Sequence, residues 1–183
     1  MSLKIAQLGQ PILRERACEV PAEEIRTPEF QAFLREMQAT LAEAQGAGLA
    51  GPQVFSGRRV FLAAVLPPLE PEGPRQLEVF INPRLTAASK ETGFAWEGCL
   101  SFAELLVLVE RHKAVRIEYL NADGEPRTLD LSDFPARIVQ HEHDHLEGIL
   151  TVDRAPTTKY IIKASELDAF RAGEKQDDED ESS

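Results

Sequence analysis

Residues 140–148 read QHEHDHLEG, that is Gln140-His141-Glu142-His143-Asp144-His145-Leu146-Glu147-Gly148, and contain the pattern H-E-x-x-H. On a helix, His141 and His145 lie four residues apart, so both imidazoles leave one face, a turn apart, beside the Glu142 carboxylate. Two neighbouring ligand positions of a small metal polyhedron need that spacing, and the carboxylate can carry a proton. His143 points to the opposite face and is a poor ligand. Gly148 stands where it would end the helix, and Ser132 or Asp133 where either would cap its start. A two-histidine site needs a further protein donor. Cys99, within Glu97-Gly98-Cys99-Leu100-Ser101 at an expected strand end, would complete a Cys-His-His set. Three protein ligands leave a fourth tetrahedral position open for water, which separates a catalytic site from a closed structural one. Read alone, Cys99 equally fits a small buried hydrophobe, and the bare five-residue pattern also arises by chance.

Outward from this stretch, the chain alternates strand-like runs with turn chemistry. Residues 1–26 read as an irregular, partly extended arm that wraps the domain, with a turn at Gly9 and Pro11. Thr27 as N-cap and Pro28 at the first helical position open a helix. Its apolar positions Phe30, Phe33, Leu34, Met37, Leu41 and Ala44 keep helical spacing up to Gly46. A glycine-rich connection, GAGLAGPQ (46–53), follows. Arg59–Leu66 has the content of a buried strand, Pro67–Pro74 that of a surface loop, and Leu77–Ile81 that of a second strand stopping at Asn82-Pro83, so the pair suggests a hairpin. Leu105–Val109, Ala114–Leu120 and Arg127–Leu131 are further strands, the last two joined by a turn at Asn121-Ala122-Asp123-Gly124. The expected fold is α+β, mostly antiparallel strands packed around the H-E-x-x-H helix.

With 183 residues and 43% hydrophobic content, the chain suits one domain with a proper core, assigned to residues 1–172. The formal charge of −11, with no clustered basic stripe, argues against nucleic acid as a partner. Much of the acidity falls at the end: Glu174–Ser183, EKQDDEDESS, has no apolar side chain, so 173–183 is expected to be a disordered acidic tail. The N-terminus MSLKIAQLGQ lacks the apolar run of a signal peptide, and no segment is long enough to cross a bilayer. A cytoplasmic location is the expectation. There, a Cys near His residues serves as ligand or nucleophile more often than as half of a disulfide, which directs attention to Cys99 rather than Cys18.

The ordered trio GAGLAGPQ, EGCLS and QHEHDHLEG resembles the three signature motifs of the peptide deformylases. The arm GQPILRERACEV and the segment ARIVQHEHDHLEGILTVDR are similar to that family too, so the likeness runs from near the start to about Arg154. The resemblance implies removal of the formyl group from the N-terminal formylmethionine of nascent bacterial proteins. It implies metal ligation by Cys99, His141 and His145 and one divalent ion, Fe2+ in vivo, with Zn2+, Ni2+ or Co2+ in purified protein. Sequence physics alone would favour Zn2+ at least as well at a sulfur–nitrogen site. A metal lowers the pKa of its water so that hydroxide is available near neutral pH to attack the formyl carbon, with Glu142 as general base. Gln53 and the Leu100 backbone N–H are implied as donors to the oxygen that gains charge. The Gly48 backbone, with Gly46 nearby, would bond the extended substrate, whose methionine side chain enters an apolar pocket. Helical spacing places Phe134 and Ile138 on the side of that pocket, although core packing explains them as well. Glu97 and Arg111 form a candidate buried ion pair, and Asp144 a candidate for orienting a ligand. The implied partners are N-formylmethionyl nascent peptides, with transient ribosome association and no membrane.

The match weakens after EGCLS. Where the family typically has a Pro-Gly-type turn, this chain has Phe102-Ala103-Glu104-Leu105-Leu106, at the edge of the substrate cleft. Two rival readings follow: an H-E-x-x-H metallopeptidase cutting internal bonds, and a deformylase-like binding protein with weak or no turnover.

Overall fold

The computed structural model describes residues 2–68, 70, 73 and 75–180, and for 174–180 the backbone only. Half of the expected Pro67–Pro74 loop and the last three residues of the expected tail lie outside the described residues. The elements run α1 (Ala22–Ile25), α2 (Pro28–Ala44), β1 (Gly48–Ala50), β2 (Val60–Leu66), β3 (Gln76–Ala88), β4 (Thr92–Gly98), β5 (Leu105–His112), β6 (Ala114–Leu120), β7 (Pro126–Ser132), α3 (Asp133–Leu146), β8 (Ile161–Lys163) and α4 (Leu167–Asp180). Every strand pairing is antiparallel, in a five-stranded sheet ordered β1-β2-β3-β6-β7 and a three-stranded sheet ordered β4-β5-β8.

The run Val60–Leu66 explains how the larger sheet is covered. Val60 and Leu62 pack with Phe30, Leu34, Met37 and Leu41 of α2, while Phe61, Ala63 and Val65 pack with Ile138, Val139 and Leu146 of α3. A strand buried on both faces carries no polar alternation, so the run is continuous in sequence. Thr27 Oγ1 accepts from Phe30 N–H at 3.3 Å and caps α2 as expected. Its other end is Gln45 in the left-handed region, φ 52°, rather than Gly46. Ser132 occupies the N-cap position of α3 but makes no side-chain cap bond. Gly148, φ 72°, follows α3 as expected. A side chain there would also strike the arm, since a Cβ would lie 2.5 Å from the Arg14 carbonyl oxygen.

Several elements correct the sequence reading. β3 does not stop at Asn82-Pro83. Asn82 takes φ 51°, the register shifts between Ile81 and Arg84, and the strand continues to Ala88. The Asn82 side chain accepts from Val20 N–H and donates to Val20 O, so the bulge is where the N-terminal arm is stitched on. The three-residue strands β1 and β8 and most of β4 carry too little period-2 pattern to be read from sequence. Ahead of the acidic stretch, Phe170 of α4 packs edge-on against Trp96, with Tyr160 alongside.

The arm is structural rather than loose. Ala6 N–H bonds Gln53 O, Leu8 N–H bonds Ser101 O and Ala17 N–H bonds Leu146 O, so one segment braces the glycine-rich stretch, the Cys99 turn and the end of α3. Leu13 is fully buried among Cys99, Phe102, Val107 and Leu150.

Candidate active site

Three pieces distant in sequence meet here: the edge strand β1, the end of the edge strand β4, and one face of α3. Cys99 follows β4, and the donor atoms of Cys99, His141 and His145 all lie within 4.8 Å of one another. Cys99 Sγ stands 3.3 Å from His145 Nε2, and the two imidazole centroids are 5.1 Å apart. Tetrahedral ligand shells with bonds of about 2.0–2.3 Å have donor–donor separations of roughly 3.3–3.8 Å, so Cys99 and His145 already stand at that separation and the sulfur–nitrogen chemistry of the set suits a divalent ion. His145 Nδ1 and Glu142 Oε2 are the buried side-chain atoms without a hydrogen-bond partner among the described residues. Buried polar atoms are seldom left unpaired, so their presence at one place marks a site built for something other than packing. Cys18 lies exposed on the arm and takes no part.

Charges around the donors are arranged in depth. His141 Nδ1 stands 2.9 Å from Glu97 Oε2, and Glu97 also receives Arg111 Nε and Nη2, both at 3.1 Å, and Arg137 Nη1 at 2.7 Å. Arg111 also pairs with Asp144, which takes Arg154 Nη2 at 2.6 Å. Asp144 bonds Arg111 and Arg154 rather than a histidine, so the orienting role offered for it in the sequence is not a direct one. Glu97 orients His141, and Asp144 anchors the arginine that holds Glu97. Burial alone would raise the Glu97 carboxyl, but the bonds from His141 and Arg111 outweigh it and bring it to about 2. Burial would likewise lower the His141 imidazole, yet its bonds with Cys99 and Glu97 push it up to about 10. His145 goes the other way, lowered by burial and by the charges of His141 and Arg111. Glu142 is raised to about 7, chiefly by burial.

A cavity of about 360 Å³ opens onto these groups, walled by Gly46, Gly48, Gln53, Cys99 and Leu100 on one side and by Phe134, Ile138, His141 and Glu142 of α3 on the other. Gln53 is nearly fully buried. Its Oε1 accepts from Ala50 N–H at 2.9 Å, and its Nε2 donates to Ser101 Oγ at 3.2 Å and reaches Cys99 Sγ at 3.5 Å. Phe134 is 59% exposed at the rim, whereas Ile138 is buried. His143 contacts Arg59 at 3.1 Å on the far face of α3.

A family model described as polypeptide deformylase matches residues 2–160. The chain belongs to the peptide deformylase family. It is 40% identical to peptide deformylase 2 of a Nostoc species over 166 residues, which are 90% of this chain and 92% of that one. The crystal structure of a class I type b peptide deformylase from Acinetobacter baumannii with Met-Ala-Ser bound superposes with a TM-score of 0.78 at 38% identity, covering 84% of this chain and 98% of that one. The peptide deformylase of Thermotoga maritima gives a TM-score of 0.77 at 35% identity, covering 86% and 99%. Membership makes the chain a hydrolase of protein biosynthesis that removes N-formyl groups from nascent peptides, and peptide deformylases are metalloenzymes.

The residues singled out in the sequence, Cys99, His141, His145, Glu142, Gln53, Leu100, Gly46, Gly48, Phe134 and Ile138, all line or adjoin this one cavity. Trp96 and Arg137 also line it and were missed. A tryptophan on an edge strand and an arginine on a helix carry no signal of their own until α3 is packed against β4.

Proposed function

We propose that this chain releases formate from the N-terminal formylmethionine of nascent proteins, with Cys99, His141 and His145 holding one divalent ion and Glu142 acting as general base. One observation carries the reading: the buried sulfur–nitrogen donor set and the unpartnered Glu142 oxygen face the same cavity. A bound ion would supply Lewis acidity and bring the pKa of water towards neutrality. Glu142, raised to about 7 by its burial, can take a proton and return it to the departing amine at physiological pH. Gln53 has its amide held by Ala50 and Ser101, so the Nε2 N–H that reaches Cys99 Sγ at 3.5 Å is the one that would turn to the carbonyl oxygen as it gains charge, with the Leu100 N–H as second donor.

The peptide backbone would dock in extended form between the free edges of β1 and β4, at Gly46 and Gly48, with the methionine side chain passing along α3 by Ile138 and Phe134. The family resemblance supports Fe2+ as the physiological ion. Residues 1–172 are assigned as the catalytic unit, cytoplasmic and in transient contact with the ribosome, with 173–183 outside the chemistry. No helix among the described residues is long and apolar enough to cross a membrane.

An A. baumannii relative was solved with Met-Ala-Ser bound, which makes formyl-Met-Ala-Ser the substrate of choice. Assayed without oxygen, the iron-loaded chain is expected to release formate from it and leave the peptide bonds intact. Metal uptake without formate would leave a binding protein, and cleavage at internal bonds a peptidase.

A further inference from the structure

The face of α3 in the cavity carries Phe134, Arg137, Ile138, His141 and Glu142. Arg137 is the odd member, a cation in a wall otherwise apolar on that turn. Its Nη1 donates to Glu97 Oε1 at 2.7 Å and to Val109 O at 3.0 Å, and its Nη2 to Gly93 O at 2.6 Å, so the guanidinium is clamped to β4 and β5. A guanidinium has five N–H groups in a rigid fork. The Nε–H and the second Nη2–H have no acceptor among the described residues, and the side chain is 15% exposed. Arg137 lies four residues before His141, which is about 6 Å along the helix axis. The sulfur of an extended methionine side chain lies three bonds, or roughly 4 Å, from its Cα. Arg137 lines the same cavity one turn of α3 before His141, on the wall along which the methionine side chain is proposed to pass.

We propose that Arg137 determines which N-terminal side chain the cavity takes, by offering a hydrogen bond to an acceptor at its far end. The proposal rests on the deformylase reading and deepens it. Methionine sulfur is a weak acceptor, the sulfoxide oxygen a strong one, and norleucine has none. The cavity accordingly accepts formyl-methionine sulfoxide, a substrate that a purely apolar pocket would reject for want of a partner for the buried oxygen.

The test compares kcat/KM for formyl-Met-Ala-Ser, formyl-norleucine-Ala-Ser and formyl-(Met sulfoxide)-Ala-Ser in the metal-loaded wild type, R137M and R137K. The wild type is expected to process the sulfoxide peptide within about tenfold of the methionine peptide. R137M is expected to lower the sulfoxide-to-norleucine ratio by roughly 10–100-fold, the loss of one hydrogen bond from a charged donor. R137K, which keeps charge opposite Glu97 but not the fork, should fall between. A structural role alone would scale all three substrates together, and that result overturns the proposal. So does a wild type that rejects the sulfoxide 100-fold or more relative to norleucine, a comparison independent of whether R137M folds. No formate from any substrate would overturn the deformylase reading and this proposal with it. Formate from formyl-Met-Ala-Ser with unmoved ratios overturns the proposal alone.

Discussion

A methyl group on Gly48 would lie 2.6 Å from Glu142 Cδ and 2.7 Å from its Cγ. Gly48 sits in a strand with no unusual backbone angle, so the neighbouring carboxylate, not backbone conformation, demands glycine. Gly48→Ala should therefore displace Glu142, and a shift of about 1 Å in a catalytic group can cost on the order of 100-fold in rate. The expected result is a kcat/KM at least ~10-fold lower with a melting temperature changed by only a few degrees; unchanged kcat/KM would show that Glu142 tolerates the shift. The sequence gives Gly46 and Gly48 a different reason, close approach of a peptide backbone, because the contact with Glu142 exists only once α3 lies against β1. His141, Glu142, His145 and Cys99 are readable earlier, since ligand chemistry and helical spacing are local properties. Gln53 is not: as an amide after a proline it reads as surface, yet it is buried against Cys99 and Ser101.

Between elements, the strongest tie at the site is the ion network linking β4, β5 and α3 through Glu97, Arg111, Arg137 and Asp144. Arg111→Met leaves Asp144 and Glu97 each short of a partner inside the protein. Breaking a buried pair from one side costs about 3–5 kcal/mol, so urea unfolding should shift by that much; a change under ~1 kcal/mol would mean the network is redundant. From sequence, the Glu97–Arg111 pair was visible but its reach was not. Helix α2 and strand β2 are legible because a cap, a helical period and an unbroken apolar run each have a local cause. Strands β1 and β8, three residues each, owe their form to their partners β2 and β5. The extension of β3 through Asn82-Pro83 depends on an arm more than sixty residues earlier, a link that no local signal carries.

Across the whole molecule, folding and metal binding should be coupled, because the arm, both sheets and α3 converge on one candidate donor set. In the metal-free chain the His141 imidazole, pushed up to about 10, keeps its proton at neutral pH. A group with a raised folded pKa contributes stability that is complete below its unfolded value near 6.5 and lost as pH rises through about 10. An ion must displace that proton, so affinity should tighten from pH 6 to pH 8, and the melting-temperature gap between loaded and metal-free protein should widen over the same range. Chelator competition at pH 6, 7 and 8 checks this, and a pH-independent affinity would contradict it. At an ion concentration 100 times Kd, loading should add about 2.7 kcal/mol of stability. Glu97 acts on the acid side: brought to about 2, it supplies stability that is present above its ordinary range and lost as pH falls through about 2.

If Glu142 moves the proton at a metal-assisted formyl hydrolysis, Glu142→Ala removes the step on which turnover depends. Formate release from formyl-Met-Ala-Ser would be measured without oxygen on wild type and variant, each shown to hold one equivalent of iron. Full metal content and turnover lower by about 10²–10⁴-fold, the usual worth of a general acid–base group, are expected. Turnover within threefold of wild type at equal metal content would contradict that role for Glu142.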